Sequence, residues 1–293
     1  MGGDTLEKNY TSTLEMITSS DLTCVPNMPG LPVGKQAASA ALLGSSIFHC
    51  GGFDGVAAWE YEGTCFSFLL GTESESWEVV ESMKDPRWSF GLTTIGERLY
   101  ATGGYNSWAS YSSVESFSHQ TGWVIEDSME LVDFMGLPLP RYHHCSVALG
   151  SWLVVLGGRV GGSLESSTVQ AFDTNSNTSD AGSWFFLASM NAARAGLACL
   201  TGDFEGRLGI FVAGGQQEDA EVLSSVEFYS ADEDTWQELG SLGTARSYHS
   251  LTIVSGEIVV AGGENEIASV ERFNGTGWVQ TTNLKVRFLF CPD

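Results

Sequence analysis

The sequence predicts an all-β fold assembled from one repeated unit, and three observations support this. Glycine is abundant (35 of 293 residues), tryptophan is frequent (9) and proline is scarce (7), which is typical of short strands joined by glycine turns. Five glycine doublets recur at spacings of 48 to 57 residues, and each closes an apolar run. A tryptophan recurs at one position of the same unit. Periodicity on this length scale indicates a repeat architecture.

The glycine doublets mark the ends of strands that we predict to be buried on both faces. Short continuous apolar runs closed by glycine, such as RLYATGG and WLVVLGG, are typical of central strands. Glycine at the strand end permits a positive φ and close approach of another backbone. The doublets stand at Gly51-Gly52, Gly103-Gly104, Gly157-Gly158, Gly214-Gly215 and Gly262-Gly263.

A second strand follows each of the later doublets. The segments SSVESF, STVQAF, SSVEFY and ASVERF begin at residues 112, 167, 224 and 268. They alternate polar and apolar side chains and contain β-branched and aromatic residues, so each predicts a half-buried strand.

Two further positions complete the unit. A tryptophan large enough to fill the space between neighbouring sheets comes next, at Trp77, Trp123, Trp184, Trp236 and Trp278. A basic residue then precedes the following apolar strand, at Lys35, Arg87, Arg141, Arg194, Arg246 and Arg287. Sixteen residues separate it from the next doublet in four of the five complete units, and 20 in the other.

This order of apolar strand, Gly-Gly, aromatic near Val-Glu and later tryptophan resembles the kelch repeat over nearly the whole chain. Kelch repeats of roughly 50 residues each form one four-stranded blade of a β-propeller. The resemblance therefore implies a six-bladed kelch-type β-propeller, a single domain over residues 1–293. The predicted blades are 32–84, 85–138, 139–190, 191–243, 244–283, and a closing blade of 284–293 with 1–31.

The closing blade is shared between the two termini. Gly2-Gly3 is interpreted as a sixth doublet, because Glu15 follows Gly3 at the offset that separates Gly215 from Glu227. From Arg287 through the C-terminus and on from Met1 to Gly2 is only eight residues, about half of the usual segment. We interpret this as a fragment or a wrongly placed start, because a missing inner strand leaves backbone unpaired. The alternative is a closing blade of three strands.

The six basic positions are the most regular polar feature, and they have two interpretations. In the kelch adaptors that the sequence resembles, arginines near one rim bind acidic peptides. The resemblance therefore predicts that a protein or peptide partner, with an acidic one as an option, contacts Lys35, Arg87, Arg141, Arg194, Arg246 and Arg287. The alternative is a structural ion pair with the repeat glutamates Glu115, Glu227 and Glu271, since a residue that recurs in every repeat usually serves the architecture.

Departures from the repeat predict the remaining partner contacts, because insertions map to loops and loops carry recognition. Trp59 and Trp108 follow glycine doublets without a counterpart in the other repeats, and local packing is their alternative role. The segment 124–140 is about eight residues longer than its counterparts and is apolar, with Met129 and Phe134 as candidate contacts. It either contacts a partner, caps the channel or packs against its own blade.

The six cysteines divide into two groups. Cys50 and Cys65 flank one glycine-rich connection on strands predicted to be adjacent, so they are the disulfide candidate. Cys24 either stays unpaired or takes one of them. Cys145, Cys199 and Cys291 occupy nearly the same strand position in different repeats and are predicted to lie apart as small buried residues.

Composition limits the function classes. A net charge of −23 disfavours nucleic acid, and no apolar run is long enough for membrane insertion. No catalytic constellation, metal-ligand pattern or cofactor motif is found. Three glycosylation sequons, at Asn9, Asn177 and Asn274, lean slightly toward an extracellular location, and the compartment stays open.

The predicted function is a non-catalytic interaction module that presents propeller-face loops to a protein or peptide, as part of a larger kelch-like protein. The alternative is an extracellular carbohydrate-active or carbohydrate-binding kelch propeller, similar to galactose oxidase or to sialic-acid epimerases.

Overall fold

A computed structural model describes residues 29–53, 63–71, 76–106, 108–126, 129, 140–161, 164–175, 182–218, 221–264 and 267–283. No α-helix lies within these ranges, and none of the described residues forms a helix long and apolar enough to cross a membrane. Five four-stranded antiparallel sheets carry the fold. The all-β prediction is confirmed.

Each of the five sheets pairs its strands in chain order, apart from short strands inserted in the connections. The first sheet contains β1 (Ser39–Leu43), β2 (Ser46–Cys50), β3 (Cys65–Leu69) and β4 (Glu78–Val80). The second contains β5 (Gly91–Ile95), β6 (Arg98–Thr102), β7 (Val114–Ser118) and β8 (Gly122–Glu126). A two-residue strand, β9 (Arg141–Tyr142), precedes the third sheet in the chain and belongs to a separate small sheet.

The third sheet contains β10 (Cys145–Leu149), β11 (Trp152–Leu156), β14 (Val169–Asp173) and β15 (Trp184–Leu187), and its central connection holds β12 (Arg159–Val160) and β13 (Leu164–Glu165). The fourth contains β16 (Ala198–Phe204), β17 (Arg207–Ala213), β20 (Val226–Ser230) and β21 (Thr235–Glu238), with β18 (Gln216–Gln217) and β19 (Glu221–Val222) in its connection. The fifth contains β22 (Ser250–Val254), β23 (Glu257–Ala261), β24 (Ser269–Phe273) and β25 (Trp278–Asn283).

The sheets are arranged as the blades of a propeller, with the first strand of each nearest the centre. The Thr94 hydroxyl on β5 donates to the carbonyl of Leu42 on β1 (2.6 Å), and Thr201 on β16 donates to Ala148 on β10 (2.6 Å). These bonds join first strands of neighbouring sheets around a central channel. The five sheets lie within the first five predicted blade ranges, while the closing blade falls mostly outside the described residues, so the count of six stays a prediction.

The hydrophobic core lies between neighbouring sheets. The strands that end at the doublets are buried along most of their length, as expected for central strands. Their neighbours β7, β14 and β20 are buried at all five positions, although alternation predicted half-buried strands. Alternation reports only one covered face, whereas in this fold a neighbouring sheet covers each face.

Two of the repeat tryptophans form a hydrogen bond from their sheet to the one before it. Trp123 Nε1 donates to the carbonyl of Glu81 (3.0 Å), just beyond β4 of the preceding sheet. Trp236 Nε1 donates to Ala188 in the same way (2.7 Å). The Nε1 atoms of Trp184 and Trp278 are buried without a hydrogen-bond partner among the described residues, so the size of the ring, and not its N–H, is what the repeats share at this position.

Two disulfides are present among the described residues. Cys50 and Cys65 join neighbouring strands β2 and β3. Cys145 and Cys199 join β10 to β16, the first strands of the third and fourth sheets. The expectation that Cys145 and Cys199 lie apart is wrong, because first strands of neighbouring sheets run side by side, with Cα atoms 6.0 Å apart here.

Candidate functional site

Four arginines at the repeated basic position are buried beneath one face of the propeller. Together with the groups that they bind, we call them the frame: Arg87, Arg141, Arg194 and Arg246. In the second sheet, the Arg87 Nη1 group donates to the carbonyl of Gly103 (2.7 Å) and Nη2 donates to Glu115 (2.7 Å). Glu115 also accepts the backbone N–H groups of Lys84 (2.7 Å) and Asp85 (2.9 Å). One buried ion pair thus holds the entry to the first strand against both the glycine doublet and the third strand.

The same arrangement recurs in two more sheets. Arg194 donates to Gly214 and pairs with Glu227, and Arg246 donates to Gly262 and pairs with Glu271 (2.5 Å). Arg141 in the third sheet donates to Gly157 (2.6 Å), but Gln170 stands where the others have glutamate. Burial without a carboxylate lowers the pKa of Arg141 to about 10.

The glycine doublets link this frame from sheet to sheet. The N–H of Gly104 donates to the carbonyl of Arg141 in the next repeat (2.7 Å), and Gly158 donates likewise to Arg194 (2.8 Å). A Cβ on Gly157, whose φ is +62°, would fall 2.6 Å from the Arg194 carbonyl oxygen. The doublet therefore excludes larger residues because the neighbouring repeat passes too close.

These contacts correct the prediction of partner contact for the four arginines of this position that the structure describes. The side chains of Arg87, Arg141, Arg194 and Arg246 have no exposed surface, and their guanidinium groups are occupied inside the protein. Lys35 is half-buried with its ammonium 5.2 Å from the centre of the Phe66 ring. Arg287 lies outside the described residues. The structural ion-pair interpretation applies to Arg87, Arg194 and Arg246.

Two residues beyond each basic position, the backbone forms what we call the inner ring: Ala37, Ser89, His143, Gly196 and Tyr248. Each member has a positive φ between 52° and 60°, although four of them are not glycine. The N–H of each of the last four members donates to the carbonyl of the member before it, at 2.7 to 3.0 Å. Left-handed backbone at non-glycine residues costs free energy, and it persists here because a continuous set of hydrogen bonds fixes it.

Side chains on and beside the inner ring form an aromatic cluster of Trp88, Tyr105, Tyr142, His143 and Tyr248. Their rings touch in sequence: the centroids of Trp88 and Tyr105 are 5.4 Å apart, Tyr105 and Tyr142 5.5 Å, and Tyr142 and His143 4.9 Å. His143 and Tyr248 are 4.9 Å apart and nearly perpendicular. Because the inner ring precedes the first strands, this cluster lies at one end of the channel.

Polar contacts hold the cluster in one arrangement. The Tyr248 hydroxyl is 2.8 Å from His143 Nδ1 and accepts a hydrogen bond from Gln216 Nε2 (3.2 Å). Burial lowers the pKa of His143 to about 4, so its imidazole is neutral at pH 7. Burial raises the pKa of Tyr248 to about 12, so its phenol stays protonated. At neutral pH these two rings add hydrogen-bonding groups to the surface and no charge.

Trp108 projects from the loop that begins at Tyr105. Its side chain is 75% exposed. Asn106 shapes this loop, because its Oδ1 accepts the N–H groups of Trp108 (3.1 Å) and Ala109 (2.9 Å), while its Nδ2 donates to the Tyr111 hydroxyl (2.5 Å). The loop thus holds a large exposed indole on the same side as the aromatic cluster.

Met129, another predicted contact, does not join this surface. Met129 is fully buried and its N–H donates to the carbonyl of Ser112 (3.0 Å), so this part of the long segment packs against its own blade. Trp59 and Phe134 lie outside the described residues. No group of three or more His, Cys, Asp or Glu within the described ranges is placed to hold a metal ion.

Sequence reasoning missed Trp88, Tyr142 and Tyr248. These residues lie at the two positions that follow each regular basic residue. The pairs at these positions are Gln-Ala, Trp-Ser, Tyr-His, Ala-Gly and Ser-Tyr. The sequence pattern that could have predicted them is the variation of these two positions directly after a position that is basic in every repeat. Recognition residues vary between repeats, whereas architectural residues recur.

Comparisons with known proteins agree with this architecture. A model of the KLHDC2/KLHL20/DRC7 Kelch-repeats domain matches residues 39–263. Kelch-like protein 15 of Mus musculus is 26% identical over 237 residues, which cover 76% of this chain and 38% of that protein. Kelch-like protein terF of Aspergillus terreus is 26% identical over 269 residues, covering 87% of this chain and 54% of that protein. The chain thus spans only about two fifths to half of these relatives.

A solved structure shows the same fold at low sequence identity. The structure of YjhT superposes with a TM-score of 0.70 and 14% identity, covering 90% of this chain and 88% of that one. At this identity the likeness concerns the fold alone.

Proposed function

Because this chain belongs to the Kelch-repeat family, we propose that it is a protein-interaction module whose aromatic cluster and Trp108 contact a protein or peptide partner. The observation that carries the proposal is the contrast at one end of the channel. There the regular basic residues are buried in the frame, and variable aromatic residues occupy the surface. Half-exposed tyrosine and tryptophan side chains are the residue types that dominate binding energy at protein interfaces.

The rigidity of the surface supports this function. The inner ring fixes its own backbone, and the His143–Tyr248–Gln216 contacts fix side chains. An ordered surface loses little conformational entropy on binding, so more of the contact energy contributes to affinity. Large aromatic rings with few rotatable bonds serve the same purpose.

A phage-displayed library of random dodecapeptides tests the proposal directly. Selection against the native protein is expected to enrich peptides whose binding is lost in the variants Tyr248→Ala and Trp88→Ala. Loss of at least tenfold in affinity is expected, as for central interface residues. Phe186→Ala is the matched control, since Phe186 is also aromatic and 57% exposed but lies on the outer strand β15.

Folding of each variant is checked by urea unfolding and by non-reducing mass spectrometry of the disulfides. If the enriched peptides bind the Tyr248 and Trp88 variants as well as they bind the Phe186 variant, the proposal is wrong. Binding of galactose or sialic acid at the cluster, with no peptide selected, would favour the carbohydrate alternative instead.

A further inference from the structure

The described surface has no surplus of positive charge to offer a partner. Apart from Lys35, whose ammonium is buried against the Phe66 ring, five described basic side chains reach solvent, and each pairs with a carboxylate. Those pairs are Lys84–Glu81, Arg98–Glu126, Arg159–Glu165, Arg207–Glu233 and Arg272–Glu257. Four further arginines are buried in the frame. Since the chain has 36 acidic and 13 basic residues, the remaining surface charge is strongly negative.

Carboxylates also outnumber basic groups at the edge of the aromatic cluster. Glu264 is exposed, accepts a hydrogen bond from Ser247 (3.2 Å), and contributes with Glu165 to the raised pKa of Tyr248. Arg159 opposes them, but its Nε already donates to Glu165 (3.2 Å). One arginine against two carboxylates leaves the edge of the cluster negative.

A negative edge beside aromatic rings selects a cation. The ring faces of tryptophan and tyrosine attract ammonium and guanidinium groups through their quadrupoles. A guanidinium can at the same time donate to a carboxylate, which gives such a contact direction as well as attraction. An acidic side chain at the same place would meet like charge, and Arg141, the described arginine without a carboxylate partner, has no exposed surface to offer it.

On the premise of the proposed interaction function, we propose that the aromatic cluster takes the cationic side chain, arginine or lysine, of a basic peptide segment in the partner. This reverses the expectation of an acidic partner, which rested on arginines that the structure places in the frame. The general acidity of the protein draws a basic segment toward it, and the cluster supplies the specific contact.

The dodecapeptides selected against the native protein supply the first measurement. Arginine and lysine are expected to be enriched among peptides whose binding depends on Tyr248 and Trp88. The best peptides are then synthesised with each arginine replaced by citrulline, which keeps the shape and removes the charge. Isothermal titration is expected to show about tenfold weaker binding for the citrulline peptide in the native protein.

The variants separate a specific contact from general attraction to an acidic protein. In Tyr248→Ala the arginine and citrulline peptides are expected to bind within about twofold of each other, whereas Phe186→Ala keeps the full difference. Glu264→Gln is expected to reduce the preference for arginine by about threefold. Raising the salt concentration from 50 to 300 mM weakens the arginine peptide more than the citrulline peptide.

Two results overturn this inference while leaving the proposed function intact. One is cluster-dependent binding of peptides enriched in Asp and Glu, or of peptides without charge. The other is an arginine preference that survives unchanged in Tyr248→Ala, which would place the cation elsewhere on the acidic surface. If no selected peptide depends on the cluster, the proposed function fails, and this inference fails with it.

Discussion

Two positions only two residues apart in each repeat serve opposite purposes. The basic position is nearly invariant, and its side chain is buried in Arg87, Arg141, Arg194 and Arg246. The inner-ring position holds Ala37, Ser89, His143, Gly196 and Tyr248, which share a backbone conformation but no chemistry. The comparison teaches that a repeat conserves a side chain where it builds the frame, and conserves only backbone geometry where it presents a surface.

Removing a frame arginine tests the first half of this comparison and has the largest expected effect. Arg194→Met leaves Glu227 buried without its cation, so the free energy of unfolding is expected to fall by about 3–5 kcal/mol. Arg207→Met in the same sheet is the matched control. Its partners Glu205 and Glu233 are exposed, and a loss of about 0–1 kcal/mol is expected. Urea unfolding measures both, and equal losses would contradict the structural role of the frame.

Two buried histidines, each three residues after an arginine of the frame, are expected to make the stability of the protein depend on pH. His144 and His249 are buried beside Arg141 and Arg246, and burial with these like charges lowers the pKa of each to about 3. Because the pKa in the unfolded chain is near 6.5, the native state binds fewer protons, so stability is full above pH 6.5 and falls as the pH drops toward 3. Each histidine is expected to remove about 2 kcal/mol between pH 6.5 and 5.

Urea unfolding at pH 7.5 and pH 5.0 measures this loss, with His249→Gln as the test variant. The variant should lose less stability than the native protein over the same interval, since one titrating group is absent. An identical loss in both proteins would show that His249 does not contribute to the acid sensitivity.

The third sheet offers a gain of stability within the frame. Gln170→Glu supplies Arg141 with the carboxylate that the second, fourth and fifth sheets have. Because Arg141 is already buried and charged, about 1.5 kcal/mol of added stability is expected at pH 7. Gln170→Met is the control, since it keeps a side chain of similar length without a charge. It should not lower stability, because neither amide atom of buried Gln170 has a hydrogen-bond partner. A Gln170→Glu protein that melts below the native protein would refute the expectation.

The inner ring is expected to tolerate change with the smallest effect on stability. Tyr248→Phe removes the hydroxyl that contacts His143 and Gln216 but keeps the ring and the backbone. About 0.5–1 kcal/mol of lost stability is expected, because the position is partly exposed to water. Thermal unfolding checks this value. A loss as large as that of Arg194→Met would remove the distinction between frame and surface.

The repeat, the all-β class and the strands that end at glycine doublets could all be predicted from the sequence. These depend on local pattern: apolar runs, glycine at strand ends and a tryptophan at a fixed place. The pairing of Cys50 with Cys65 also follows from neighbouring strands in one repeat. Each of these features forms within one repeat, so the periodic pattern of the sequence is enough to predict it.

Which side chains face solvent depends on contacts between distant parts of the chain, and the sequence pattern did not predict it. The arginines were predicted as partner contacts because arginines near one rim bind acidic peptides in the kelch adaptors that the sequence resembles. Arg87, Arg194 and Arg246 instead pair inside the protein with Glu115, Glu227 and Glu271, which lie on strands about 25 to 33 residues away. Cys145 and Cys199 meet because first strands of neighbouring sheets lie side by side. The aromatic cluster gathers residues from 88 to 248, and only closure of sheets around one centre brings such distant residues together.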